Sequence, residues 1–145
     1  MGVDLELHDR AVRAALRGKP RLYIESFLKV QEEETGRLVP FRFMPNQEYY
    51  YGETFGKLSR YREGMYVNCL KARKGYSTKL WQAIGFTFRA CVPGFKKAFT
   101  IDSEKNLKEV LTADDIFYDN LDEEIQPLKD HWDTEFRSFM FGEMA

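Results

Sequence analysis

Nine residues near the middle of the chain, Leu70-Lys71-Ala72-Arg73-Lys74-Gly75-Tyr76-Ser77-Thr78, combine the groups that grip phosphate. Lys71, Arg73 and Lys74 bring positive charge. Gly75 lets a backbone turn come close to an oxyanion. Ser77 and Thr78 place hydroxyls where apolar residues begin to recur at helical spacing. Backbone N–H groups of such a turn, and of the helix it opens, hold phosphate oxygens. A hydroxyl at the helix start, here Ser77, is suited to Mg²⁺. The chemistry implied is the binding of phosphate groups with Mg²⁺. In loops of this kind a lysine ordinarily precedes the hydroxyl, and Tyr76 occupies that place. The ammonium must therefore come from Lys71 or Lys74.

A phosphate grip needs a rigid frame, and the flanking pattern predicts one. Residues 65–70, MYVNCL, form a short apolar run that reads as a buried strand. Residues 77–91 read as a mostly apolar helix, with Leu80, Ile84 and Phe88 on one face, and Pro93-Gly94 ends it. Strand, glycine turn and helix together are the context of a P-loop. Residues 97–102 and 136–141 read as further strands, and Ser103 caps an acidic helix running to about 130. Upstream, amphipathic spacing predicts helices over 4–17, with Leu5, Val12 and Leu16, and over 20–31, with Leu22, Tyr23, Phe27 and Leu28. A turn follows at 32–36, then an extended arm at 37–43 that holds Pro40, and a helix over 47–59 capped by Asn46. Alternation of strands and helices after residue 64 predicts an α/β fold with a mostly parallel sheet flanked by helices. Residues 1–36 would be an N-terminal helical segment, and 37–145 the N-terminal part of a P-loop NTPase core.

Charge is distributed to match. Net charge is −1, yet residues 57–105 carry eleven Lys or Arg against three acids, while 106–145 carry three against eleven. The middle favours anions and the tail repels them.

The loop resembles the deviant Walker A of phage terminase large subunits, which often reads Lys-Ala-Arg-Gln-x-Gly-Phe-Ser-Thr. This chain has Lys71-Ala72-Arg73-Lys74 and then directly Gly75-Tyr76-Ser77-Thr78, one residue shorter between lysine and glycine. Residues 24–47, with Val39-Pro40-Phe41 and then Pro45-Asn46-Gln47, resemble the family's segment that precedes the loop. Phe117-Tyr118 with Leu121 and then Pro127 resembles a later one. The resemblance covers about residues 20–145. It implies that Gln47 reads adenine, with Phe43 and Pro45 shaping the pocket, and that Lys71, Arg73, Lys74, Gly75, Tyr76, Ser77 and Thr78 hold the phosphates. It also implies the cofactors ATP and Mg²⁺, and a motor that packages double-stranded viral DNA together with a portal protein and a small terminase subunit. The location would be the cytoplasm of a host carrying a bacteriophage or prophage.

ATP hydrolysis in that fold needs an apolar strand ending in Asp and an acid that activates water. Four consecutive apolar residues followed by Asp-Glu do not occur. Asp102 fits a capping role, and Glu143 stands close to the end. Catalytic residues are therefore unassigned. Nor does any Asp cluster point to the nuclease of the family. The expectation is a fragment that binds ATP without turning it over, with an apolar sheet edge that favours association. Two other readings compete: another P-loop ATPase such as a helicase, or a non-enzymatic nucleic-acid-binding module using Tyr49-Tyr50-Tyr51 to stack bases. Cys69 and Cys91 lie in apolar segments and read as buried, reduced thiols. His8 and His131 are isolated, which fits surface positions. No stretch of eighteen apolar residues predicts a membrane span, and the first ten residues lack the apolar core of a signal peptide.

Overall fold

Asp4 opens the first helix. Its carboxylate accepts the Leu7 N–H at 3.0 Å, and Glu6 in the first turn and Arg13 in the last complement the helix dipole. In the computed structural model, which describes residues 2–32, 34–57, 77–93, 95 and 104–127, this helix is α1, Leu5–Leu16. Its buried positions are Ala11 and Ala15, both 0% exposed, whereas Leu5 and Leu16 stay in solvent. The predicted apolar face is thus displaced. Alanines let α1 lie close against its neighbours, and a leucine there would hold them apart. Gly18, with φ +85, turns the chain out of α1.

Pro20 then precedes α2, Arg21–Phe27, and Tyr23 and Ile24 on this helix are buried. The helix predicted to reach residue 31 stops at Phe27, because Leu28 is extended and Lys29–Gln31 form strand β1. Gly36, with φ +70, makes a tight reversal possible, and Leu38–Pro40 return as β2. The two strands pair antiparallel with Val30 opposite Val39, and Phe41 N–H extends the ladder to Leu28 O at 3.0 Å. The hairpin straddles residues 36 and 37, where the sequence reading placed a domain boundary.

Helix α3, Pro45–Glu53, has Pro at its first position and Met44 at its N-cap, not Asn46. Helix α4 is Ser77–Cys91 and α5 is Glu104–Asp119, followed by a short 3₁₀ turn at Glu123–Ile125. Leu80, Ala83, Ile84, Phe86, Thr87 and Phe88 are all buried in α4. That helix is packed by α1, α2, α3 and α5. The expected α/β fold with a mostly parallel sheet is therefore corrected. The described residues are mainly helical, and their strand pairing is one antiparallel hairpin. The apolar surface of α4 is covered by helices, where a P-loop core would cover it with sheet. The strands predicted at 65–70, 97–102 and 136–141 lie outside the described residues. Between α4 and α5 the contact is aromatic: Phe86 and Phe117 meet nearly edge to face, with centroids 5.5 Å apart.

Candidate functional site

Two short segments carry the residues singled out from the sequence, and each leads into a helix. The first is the turn at the start of α3. Met44 N–H donates to the Gln47 side-chain oxygen at 2.9 Å, so Gln47 reaches back to satisfy a backbone donor that the helix cannot. Gln47 is 3% exposed. Its carboxamide therefore holds the turn that carries Phe43 and Pro45, a role that the sequence pattern Pro-x-Gln does not by itself distinguish from base recognition. Phe43 packs edgewise against Phe41 and Tyr51, with centroids 5.7 and 5.4 Å away. The adenine trio predicted from the family resemblance is thus gathered at one helix start.

From Phe43 the ring contacts continue through the molecule. Tyr51 stacks on Phe55 at 6.0 Å, Phe55 meets Phe88 of α4 at 5.6 Å, and Phe88 meets Phe95 at 5.5 Å. Lys19 Nζ donates to Phe55 O at 2.6 Å and ties the α1–α2 junction to the end of α3. This chain of rings makes the α3 turn and α4 parts of one packed unit. Of the Tyr49-Tyr50-Tyr51 run, Tyr51 is core and Tyr49 is 67% exposed.

The second segment is the basic loop. Lys71, Arg73, Lys74, Gly75 and Tyr76 lie outside the described residues. Ser77 is the first residue of α4 and Thr78 the second, and Thr78 is exposed. The helix thus begins at the hydroxyl that the sequence assigned to Mg²⁺. Among the described residues, no group of three His, Cys, Asp or Glu side chains is placed to hold a metal ion.

One feature of the α3 turn escaped the sequence reading. Arg21 of α2 lies with its guanidinium over the Phe43 ring, 4.3 Å from the centroid. It bonds Glu48 of α3 through both terminal nitrogens, Nη1 to Oε2 at 2.6 Å, and Glu25 of α2 through Nε. The hydrogen bond from Arg21 holds the Glu48 carboxyl below its ordinary range. The i, i+4 spacing of Arg21 and Glu25 is legible in sequence. The 27-residue jump to Glu48 is not.

The remaining chemical groups have structural surroundings. His8 is half-buried beside Tyr23 and Phe27, with centroids 5.9 and 5.4 Å away, and burial lowers its pKa against the opposing pull of Asp9. Cys91, read from the sequence as buried, keeps intermediate exposure, and desolvation pushes its thiol up to about 12, which disfavours the thiolate. Cys69, Asp102, His131 and Glu143 lie outside the described residues. Phe117, Tyr118 and Leu121, which carry part of the family resemblance, are core residues, and Tyr118 OH donates to Pro127 O. None of the helices among the described residues is long and apolar enough to cross a membrane. No protein-family model matches the chain, and neither a curated protein nor a solved structure does.

Proposed function

We propose that the chain is the ATP-binding part of a terminase large subunit, the motor that moves double-stranded viral DNA into a procapsid. The observation that carries this reading is the packing of α3 on α4. One helix opens with the Phe43–Pro45–Gln47 turn, and the other opens at the end of the Lys71–Thr78 loop. The turn read as base-binding and the helix whose start is read as phosphate-binding thus pack on each other. The base would lie in a pocket shaped by Phe43 and Pro45, with Gln47 fixing the turn. Lys71, Arg73 and Lys74 would neutralise the phosphates, backbone N–H groups around Gly75 and Tyr76 and the exposed start of α4 at Thr78 would receive their oxygens, and Ser77 would hold Mg²⁺. No hydrolytic acid is assigned in this chain, so binding without turnover is the expected activity. The portal protein and the small terminase subunit would be partners of the motor to which this part belongs.

Calorimetric titration of the 145-residue chain with a slowly hydrolysed ATP analogue and Mg²⁺ tests the reading. Saturable binding is expected, lost on Lys71→Ala combined with Lys74→Ala. A folded chain that takes up no analogue at millimolar concentration overturns it. A salt-dependent affinity for DNA that is unmoved by nucleotide would instead identify a nucleic-acid-binding module.

A further inference from the structure

A guanidinium is a flat cation with donors along its edge and two faces that can stack. At Arg21 the edge is occupied: Nε bonds Glu25, and the two terminal nitrogens bond the two oxygens of Glu48. The guanidinium carbon also lies over the Phe43 ring, 4.3 Å from its centroid. The side chain is nonetheless 38% exposed. With Phe43 on one side of the cation, a further flat group would approach from the other. Arginine held in this way is a preorganised stacking surface. Its plane is set by two carboxylates from different helices, and its back rests on an aromatic ring that Phe41 and Tyr51 hold in place.

We propose that Arg21 is the platform on which the base of the bound nucleotide stacks, with Phe43 backing the guanidinium and Glu25 and Glu48 holding its plane. The inference rests on the reading of residues 43–47 as the base-binding turn and adds a specificity-determining residue from α2. Planar guanidinium on planar heterocycle is a recurrent mode of base recognition, and it gains from the positive charge on the platform. A bare ion pair between α2 and α3 would require only a cation at position 21. Stacking requires a flat one. Lysine separates the two, because its ammonium can still pair with Glu48 but offers no face.

The test compares two probes on the full chain, a slowly hydrolysed ATP analogue and inorganic tripolyphosphate, each with Mg²⁺. The readout is the ratio of their dissociation constants within one sample, which a loss of folded protein does not change. In Arg21→Lys the analogue is expected to bind about tenfold more weakly while tripolyphosphate is unchanged. Phe43→Leu, which keeps apolar volume but removes the backing ring, should shift the ratio in the same direction and by less. A ratio in Arg21→Lys equal to that of the unaltered chain overturns the proposal. Equal affinity of the unaltered chain for both probes overturns it too, while leaving the phosphate grip standing. If the unaltered chain binds neither probe, the nucleotide reading fails and this inference falls with it.

Discussion

The α4–α5 contact and the α2–α3 contact are built by opposite means. Between α4 and α5 the chain buries rings: Phe86 is 0% exposed and Phe117 1%. Even the polar groups there are internal, with Thr87 Oγ1 donating to Ala83 O at 2.8 Å and Gln82 Nε2 to Val110 O at 3.4 Å. Between α2 and α3 the contact is a partly exposed ion pair laid over a ring, with Arg21 and Glu48 38% and 47% exposed. The first arrangement contributes stability through area removed from water and through close packing. The second contributes little stability, because solvent screens exposed ion pairs to about 0–1 kcal/mol. What it does provide is a defined orientation of a flat cation. Stability and candidate recognition are therefore carried by different parts of one small molecule.

Substitutions should separate the two regions. The largest effect is expected at Phe86. Phe86→Ala opens a cavity against Phe117 and should cost about 3–5 kcal/mol, measurable as a lower urea midpoint with an unchanged slope. A loss below about 1 kcal/mol would mean that α4 and α5 do not form the packed core described here. Gln47→Ala should have an intermediate effect. It removes the acceptor for Met44 N–H at the start of α3 and should cost about 1–2 kcal/mol, together with a loosened preference for adenine over other bases. Unchanged thermal stability in that variant would show that the turn is held without the carboxamide.

The smallest effect concerns pH. The folded pKa of His8 is depressed below its unfolded value, so the folded state disfavours the proton. Its contribution is full above the unfolded pKa of about 6.5 and is lost as pH falls through the lower folded value. Melting temperature followed from pH 7.5 downward should therefore fall more steeply in the natural chain than in His8→Gln. Parallel curves would place His8 outside the buried contact with Tyr23 and Phe27.

Helix-forming segments were legible in the sequence because their signals are local. The amphipathic stretch over 4–17 and the long apolar run from Ser77 each identify an element from neighbouring residues alone, while the third helix, read from residue 47, starts two residues earlier at Pro45. The burial of Leu80, Ile84 and Phe88 on one face followed from the same spacing. The hairpin was harder to see. Val30 lies in a stretch whose apolar spacing also suits a helix, and what selects the strand is pairing with Val39 across the turn at Gly36. Which face of α1 is buried was likewise hidden, since Ala11 and Ala15 are chosen by how closely the neighbouring helices approach.

The sequence by itself determined roughly where the helices lie and that Phe43, Pro45 and Gln47 stand close together along the chain, and it offered Lys71, Arg73 and Lys74 as candidates to grip phosphate. All of these depend on contacts within a few residues. Only the tertiary structure decided that helices, and not a parallel sheet, cover α4 among the described residues. It also decided that Gln47 is committed to its own helix cap, and that Arg21 reaches Phe43 and Glu48 from another helix. Those outcomes depend on which surfaces meet between residues far apart in sequence, and side-chain periodicity carries no record of that choice.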